Sequence, residues 1–233
     1  MAQHLRAPRL FSLTLAALLV SLGVICGHTS SAVELPEAET KRAEALVPLL
    51  EGSQAFWAIG EFVHLGPPAI PVLVKALNNP SRRVRINAIE TMYLIKDKSA
   101  IQSLNALAAN PEEIPAVREK ALRVAIRLDP TSAMPALQTM AHDPDEAIRH
   151  TVISESRAVR DKAVIDLLIA LLADDIPSVA DGALQRLYGF TGRLVERQDF
   201  LQSTKAQRRA WSEDWVQWWD EHRDTFNFAP HRP

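Results

Sequence analysis

Apolar residues recur in the middle of the chain at spacings of four, eight and eleven positions. One such set is Val84, Ala88, Met92 and Ile95. These positions share one face of an α-helix with 3.6 residues per turn, whereas a half-buried strand would need every second residue to be apolar. The same spacing returns downstream, in the set Val117, Ala121, Ala125 and Leu128. The pattern therefore predicts amphipathic helices here.

Two landmarks repeat with a period near 31 residues. The first, an alanine followed by an aliphatic residue, opens segments at Ala69, Ala100, Ala133 and Ala163. The second belongs to the later helix of each unit and reads Val84-Arg85-x-x-Ala88, Val117-Arg118-x-x-Ala121, Ile148-Arg149-x-x-Val152 and Val179-Ala180-x-x-Ala183. Because two independent landmarks keep one phase, the chain is predicted to be a tandem array of helix pairs.

This array predicts an all-α fold, a right-handed α-solenoid of stacked antiparallel helix pairs. It is expected to span residues 36–190 as about five units, of which the first, at 41–50 and 54–64, is the most divergent. A single pair could not bury its apolar face alone, so the array must fold by stacking neighbours.

Asx-Pro steps precede the predicted second helices at Asn79-Pro80, Asn110-Pro111 and Asp143-Pro144. The Asn or Asp side chain is expected to cap the helix, and a proline at the first helical position loses no hydrogen bond. Glu113 and Glu146, three residues after two of these steps, would complete capping boxes. Asp129-Pro130 and Asp161 are expected to start first helices of later units in the same way.

The first 32 residues are predicted to be a signal peptide. Arg6 and Arg9 precede an apolar run over residues 10–26, and Ser30-Ser31-Ala32 supplies the small residues read by signal peptidase, so the cut is expected before Val33. The alternative is an uncleaved anchor helix, since the run nearly reaches the length of a membrane span.

Cleavage would remove Cys26, the only cysteine, and leave 24 basic and 28 acidic residues, a formal charge of −4. Ile25 in front of that cysteine is a poor match to a lipoprotein signal. The mature chain would have no disulfide and no thiolate metal site, and an acidic exported chain is a poor candidate for nucleic-acid binding. We therefore expect a periplasmic or extracellular protein that touches a membrane only if the N-terminal segment stays uncleaved.

Residues 191–233 are predicted to be a connector followed by a Trp-rich capping helix. Four tryptophans fall on a helical period there: Trp211, Trp215, Trp218 and Trp219. The end of a solenoid exposes apolar helix faces that large aromatic side chains can cover. The alternative is an aromatic docking patch for a partner or a sugar.

The units resemble HEAT repeats, in particular the short type first described in phycobiliprotein lyases. The resemblance rests on LGPPAIPVLVKAL at 65–77 and on the Val-Arg-x-x-Ala element, and it covers roughly residues 40–190. It implies the fold and little about activity, because such arrays serve many partners. It also implies that Arg85, Arg118 and Arg149 link neighbouring units through acidic residues, while Ala180 leaves the last unit without that arginine.

The resemblance further implies that the second helices line a concave side. Three rows of residues would then face inward: Asn87, Lys120 and Thr151; Glu90, Arg123, Ser154 and Gln185; Thr91, Val124, Glu155 and Arg186. The rows vary between units while the buried rows stay apolar, as in a binding surface but also as on any solvated helix face. Lys120, Arg123 and Arg127 make one inner helix basic, which predicts a partner protein with an acidic segment.

The sequence shows none of the catalytic motifs that a serine hydrolase or a phosphate-binding enzyme would carry. There is no G-x-S-x-G elbow and no glycine-rich phosphate loop. Glu146 and His150 lie four apart, a spacing that a metal site between His142 and His150 could use, although Asp143 and Glu146 already have a predicted capping role. The chain also lacks the His-Glu steps from which deoxyhypusine hydroxylases, a HEAT-fold enzyme class, build a di-iron site.

The sequence therefore predicts an exported, monomeric, non-catalytic scaffold that binds a protein through its concave helical face and needs no cofactor. The alternative is an enzyme or enzyme accessory subunit, lyase-like or metal-dependent, with a site in the groove around His142–His150.

Overall fold

The computed structural model describes residues 35–193 and 199–228, and every regular element in these ranges is helical. The predicted signal peptide at 1–32 lies outside the described residues, as does part of the predicted connector. Short 3₁₀ turns precede or follow many of the α-helices, at Val47–Leu50, Pro67–Ala69, Lys98–Ala100, Pro130–Ser132, Ser156–Ala158 and Phe200–Gln202.

Ten of the helices form five consecutive pairs. The first members are α1 Glu37–Leu46, α3 Ile70–Ala76, α5 Ile101–Ala109, α7 Met134–Met140 and α9 Ala163–Leu171. The second members are α2 Ala55–Leu65, α4 Arg82–Ile95, α6 Pro115–Leu128, α8 Glu146–Glu155 and α10 Pro177–Thr191. A further helix, α11, spans Lys205–His222.

The pairs stack so that the helices form two layers. The second helices α2, α4, α6, α8 and α10 pack side by side in chain order. In the other layer α1 lies against α3, α5 against α7, and α9 against both α7 and α11. The prediction of an all-α solenoid is thereby confirmed. Within the described residues no single helix is long and apolar enough to cross a membrane; α2 and residues 67–76 pass such a test only together, bent by 117°.

The core is one apolar seam between the layers. Val84, Ala88 and Met92 are at most 1% exposed, while Ile95 at the helix end is only partly buried. The first helices contribute side chains such as Leu73, Leu104 and Leu137, which are fully buried. Each large aliphatic side chain buried in this way stabilises the fold by about 1.5–3 kcal/mol.

The predicted caps at the Asx-Pro steps are wrong by two to four residues. Ser81 caps α4 and accepts the Val84 N–H at 3.5 Å, whereas the Asn79 side chain accepts the Ser81 N–H at 2.9 Å. Asn110 and Asp143 likewise accept the N–H two residues ahead. The residue before a proline avoids the α region, and Asn and Asp readily bond the backbone two residues on. These steps therefore form turns in front of the helices.

The predicted capping boxes are wrong for a related reason. Glu146 is itself the first residue of α8, which Asp145 caps by accepting the Ala147 N–H at 2.9 Å. Glu113 lies before α6, and its carboxylate binds Arg85. The other predicted start signals do mark starts: Asp129 accepts the Thr131 N–H in the 3₁₀ turn before α7, and Asp161 accepts the Ala163 N–H at α9.

Largely buried arginines join the second pair to the third, the third to the fourth and the fourth to the fifth, as the HEAT resemblance implied. Arg149 donates to both carboxylate oxygens of Asp174, at 2.8 and 3.0 Å, and its Nη1 also donates to the Asp143 and Pro144 carbonyls. Three such links join four consecutive pairs: Arg85–Glu113, Arg118–Asp143 and Arg149–Asp174, at 2.7, 2.5 and 2.8 Å. This ladder fixes the spacing of the pairs along one edge.

The fifth pair has Ala180 at the position of the ladder arginine. An arginine of α11, Arg208, contacts the α9–α10 loop instead. The Arg208 side chain is buried, and its guanidinium donates to the carbonyls of Asp174 and Asp175 at 2.9 and 3.1 Å. It also donates to the Ser203 carbonyl, at 2.7 Å. The α9–α10 loop is therefore held by an arginine on each side.

Aromatic side chains fill the contact between α11 and the fifth pair. Trp215 and Trp219 are at most 1% exposed. The indole N–H of Trp219 donates to the Asp166 carboxylate at 2.9 Å, and the Trp215 ring lies 6.1 Å from that of Tyr188. The helix starts with a capping box, because the Thr204 hydroxyl accepts the Gln207 N–H and the Gln207 side chain accepts the Thr204 N–H.

Substituting Arg208→Met should lower the free energy of unfolding by about 2–4 kcal/mol, because it leaves buried carbonyls of the α9–α10 loop without a donor. The measurement is urea unfolding followed by circular dichroism. Arg209→Met is the matched control, since Arg209 is the next residue and is exposed. Equal unfolding midpoints for the two variants would show that Arg208 does not hold this loop.

Candidate partner-binding face

The outward face of the second helices follows from their register. The residue six positions after the landmark valine or isoleucine lies about 120° away from it around the helix, and so turns from the seam to solvent. The four residues at this register are partly or fully exposed: Glu90, Arg123, Ser154 and Gln185. This row is the central row of the predicted binding face.

Charged side chains of this face pair with one another across neighbouring helices. Lys120 of α6 contacts Glu90 of α4, and Arg123 of α6 donates to Glu155 of α8, with 2.9 Å between Nε and Oε1. All four groups remain partly exposed to solvent, so each pair contributes roughly 0–1 kcal/mol. Their main effect is to lower the positive charge of the predicted basic patch, because Glu90 and Glu155 neutralise Lys120 and Arg123, two of its three cations.

Arg127, the third cation of that patch, is arranged differently. Its side chain is exposed, and the guanidinium carbon lies 5.5 Å from the ring centre of Tyr93, a residue of the preceding second helix. Leu94, next to that tyrosine, is 43% exposed. We call Tyr93, Leu94 and Arg127 the arginine–aromatic cluster. It combines a cation that has no carboxylate partner among the described residues with exposed apolar surface.

Other predicted residues of the face hold the solenoid together. The Asn87 amide donates to the Leu50 carbonyl of the first pair at 2.7 Å, and Arg186 donates to the Ile153 carbonyl at 3.2 Å. Burial, and to a lesser extent the charge of Arg157, lowers the pKa of Arg186. Thr151 is buried, so little of its hydroxyl reaches the surface.

Two residues of the third predicted row, Thr91 and Val124, do not reach the surface, and this part of the prediction is corrected. Thr91 is fully buried and Val124 is 2% exposed. Seven residues correspond to about 700° of helix rotation, so this row lies only about 20° from the buried landmark. Glu155 and Arg186 reach the surface only in part.

Sequence reasoning missed two exposed aromatic residues on α2. Phe56 is 89% exposed and Trp57 is 52% exposed. The signal was present in the run Ala55-Phe56-Trp57-Ala58, because four consecutive apolar residues span most of a helix turn and cannot all face one seam. Ala55 and Ala58 are the two that are buried.

An open cavity of about 1150 Å³ lies near the predicted metal segment, and none of the predicted face residues lines it. It lies beside the α7–α8 loop, α9 and the start of α11, and Ala141, Leu167 and Leu171 contribute to its apolar lining. Its acidic rim is largely engaged by cations of the chain, in the pairs Asp143–Arg118, Asp174–Arg149, Asp175–Lys205 and Asp166–Arg223. Lys205 holds the pKa of Asp175 below its ordinary value.

The histidines of that segment do not converge with other ligand groups. His142 Nδ1 lies 2.9 Å from the Gln138 carbonyl, and His150 Nε2 lies 3.2 Å from the Ser178 hydroxyl. In the described ranges no three His, Cys, Asp or Glu side chains come close enough together to share a metal ion.

Comparison with known proteins places the chain in a family. The family model of HEAT repeats matches residues 52–114 and 112–187, which together exceed half of the chain. No curated protein sequence matches it significantly. Among solved structures, a chain in the complex of CpcE and CpcF of phycocyanin lyase from Nostoc sp. has a TM-score of 0.48 and 22% identity, over 64% of this chain and 98% of that one. The family match agrees with the helix pairs and the arginine ladder, and this chain belongs to the HEAT repeat family.

Proposed function

We propose that the chain is an exported, non-catalytic scaffold that binds a protein partner through the exposed face of its second helices. The observation that carries the proposal is the arginine–aromatic cluster. Arginine and tyrosine are enriched among the residues that dominate binding energy at protein interfaces. Here an exposed Arg127 lies over Tyr93 beside an exposed leucine.

The internal ion pairs narrow the kind of partner. Because Glu90 and Glu155 already neutralise Lys120 and Arg123, the face as a whole is not strongly basic. Arg127 is the cation of the patch left to bind an acidic group, with Leu94 beside it to bind an apolar one. The partner segment would therefore pair one carboxylate with a neighbouring apolar side chain, a narrower requirement than a run of acidic residues.

Export and the closing role of α11 belong to the same proposal. The basic start, apolar run and small-residue site of residues 1–32 support export. The packing of Trp215 and Trp219 supports a helix that covers the end of the fifth pair, rather than an aromatic patch open to a sugar.

A ligand site in the open cavity is the second candidate, in line with an enzyme or an accessory subunit. The observation that favours it is the cavity itself, since ligand sites are concave and partly apolar. Against a metal-dependent version stand the carboxylates already paired with Arg118, Arg149, Lys205 and Arg223.

Export predicts that the mature chain begins at Val33. The full-length gene is expressed in a bacterial host, the periplasm is separated, and the purified chain is sequenced from its N-terminus. An Ala32→Leu variant should be cut poorly or elsewhere, because a large residue does not fit the peptidase site. A chain that keeps Met1 and stays in the membrane fraction would contradict cleavage and favour an anchor.

Charge reversal in Arg127→Glu should reduce capture of the partner by about tenfold or more, because a dominant interface residue contributes about 2 kcal/mol. The measurement compares proteins that wild type and variant retain from a native envelope extract, quantified by mass spectrometry. Arg127 suits this test better than Arg123, whose reversal would break an internal pair.

Arg82→Glu is the matched control, since Arg82 is an exposed arginine at the start of α4, away from Tyr93. Circular dichroism should be unchanged in both variants. If the Arg127 variant retains the same proteins in the same amounts as the control variant, the arginine–aromatic cluster is not the binding site.

Metal analysis tests the metal-dependent form of the second candidate. A non-catalytic scaffold should purify with well under one equivalent of iron or zinc, because the rim carboxylates are held by cations of the chain. Inductively coupled plasma mass spectrometry of the full chain, purified without chelator, gives the ratio. One tightly held equivalent, lost in His142→Ala, would overturn the scaffold proposal in favour of the second candidate.

A further inference from the structure

Three arginines meet where α8 ends beside α10, and we call Arg157, Arg160 and Arg186 the arginine triad. Arg186 of α10 donates from Nε to the Ile153 carbonyl at 3.2 Å, one helical turn before Arg157. Arg160 donates to the Arg157 carbonyl at 2.6 Å. The guanidinium carbon of Arg160 also lies 5.6 Å from the ring centre of Phe190, which follows Arg186 by one turn of α10. Contacts from two consecutive pairs therefore bring the three residues to one place.

The arginine triad concentrates positive charge without a counter-ion from the described part of the chain. No ion pair there includes any of the three arginines. Two carboxylates lie in the same stretch of sequence, and both are engaged elsewhere. Glu155 binds Arg123 of the preceding second helix, and Asp161 accepts the Ala163 N–H at the start of α9.

Arg186 differs from the other partly or fully buried arginines of residues 35–193 and 199–228. Each of the others binds a carboxylate, apart from Arg208, which donates to three carbonyls. Arg186 makes one hydrogen bond, through Nε, to the described residues, and none through Nη1 or Nη2. Burial, and then the charge of Arg157, lowers the pKa of Arg186. Two like charges are thus held close together, an unfavourable arrangement that an anion between them would relieve.

The arginine triad has donors that a ligand can reach from solvent. The side chains of Arg157 and Arg160 are exposed, and that of Arg186 is partly exposed. Within the described ranges the Arg157 guanidinium makes no hydrogen bond, and Arg160 uses only Nη1, toward carbonyls of its own loop. Each guanidinium carries five N–H donors in a rigid fork. Several N–H groups from three side chains are therefore available to one ligand.

The number of charges indicates the class of that ligand. A carboxylate has one negative charge and two oxygens, which match a single guanidinium. A phosphate group linked through one ester bond carries about −1.5 to −2 charges at pH 7 and has three strong acceptor oxygens. Arginine binds such a group through two parallel N–H···O bonds. A phosphate group therefore matches three neighbouring arginines better than a carboxylate does.

We propose that the arginine triad binds a phosphate group, either as the free ion or linked through one ester bond. The phosphate oxygens accept hydrogen bonds from Arg157, from Nη1 and Nη2 of Arg186 and from Arg160. The site lies between α8 and α10, whereas the arginine–aromatic cluster lies between α4 and α6, so the inference goes beyond the proposed function. The bound anion links the end of the fourth pair to the fifth.

Isothermal titration calorimetry with sodium phosphate tests the site, in chloride buffer at constant ionic strength. The purified chain should bind one phosphate, and Arg157→Gln should weaken binding about tenfold or more, because it removes charge-assisted hydrogen bonds. Arg83→Gln is the matched control, since Arg83 is an exposed arginine near the start of α4. Glycerol 3-phosphate in a parallel titration shows whether the free ion or the ester binds more tightly.

Urea unfolding distinguishes an anion site from a solvated surface. In phosphate-free buffer Arg157→Gln should raise the unfolding midpoint, because it removes a like charge beside Arg186, whereas Arg83→Gln should not. Added phosphate should then stabilise the wild type more than the Arg157 variant, since only the folded chain presents the site.

Three results would overturn the proposal: a wild-type chain that binds neither phosphate nor its ester, equal affinities in the Arg157 and Arg83 variants, or a glutamate-rich peptide that binds more tightly than phosphate and is lost in Arg157→Gln. Calorimetry reads Arg157, whereas partner capture reads Arg127, so this proposal and the proposed function fail independently.

Discussion

The geometry of this solenoid depends on arginines buried at one edge. A buried guanidinium needs carboxylate or carbonyl acceptors close by, because an unpaired buried charge costs several kcal/mol. Arg118 and Arg149 find theirs in the loops of the next pair, at 2.5 and 2.8 Å. This requirement fixes the distance between consecutive loops, and with it the register at which one second helix faces the next. The contacts of Lys120 with Glu90 and of Arg123 with Glu155 follow from that register.

The fold was predictable because its signals are local and repeated. The spacing of Val84, Ala88 and Met92 specifies a helix with one buried face, and recurrence every 31 or so residues specifies stacking. The helix starts were predicted less well, because Asn79 has two local options, a cap or a turn ahead of a proline, and sequence does not show which one the loop geometry selects. The links made by Arg85, Arg118 and Arg149 were predicted correctly, because the family resemblance implied that these arginines bind acidic residues of neighbouring units.

The candidate face was harder to predict, for a physical reason. Lys120 and Glu90 are 30 residues apart, and whether their charges cancel depends on how two helices lie side by side. A residue count on one helix cannot show this, so the face was expected to be more basic than it is. The error at Thr91 is of another kind, since a seven-residue step returns nearly to the buried side. The exposure of Trp57 was not predicted, although the four consecutive apolar residues from Ala55 to Ala58 cannot all face one seam.

The arrangement around Ala180 has a consequence for how this chain can change length. The third and fourth pairs each carry a ladder arginine and an acceptor carboxylate, so duplicating or deleting one of them would keep an arginine–carboxylate link at every interior junction. The fifth pair is different. Ala180 has no guanidinium to bind a following loop, and Arg208 of α11 donates to the Asp174 and Asp175 carbonyls of this pair. An extra pair inserted after it would lose the contacts of Arg208 and gain no arginine in exchange. A change in the number of pairs is therefore disfavoured at the last junction, which depends on contacts that no other pair makes.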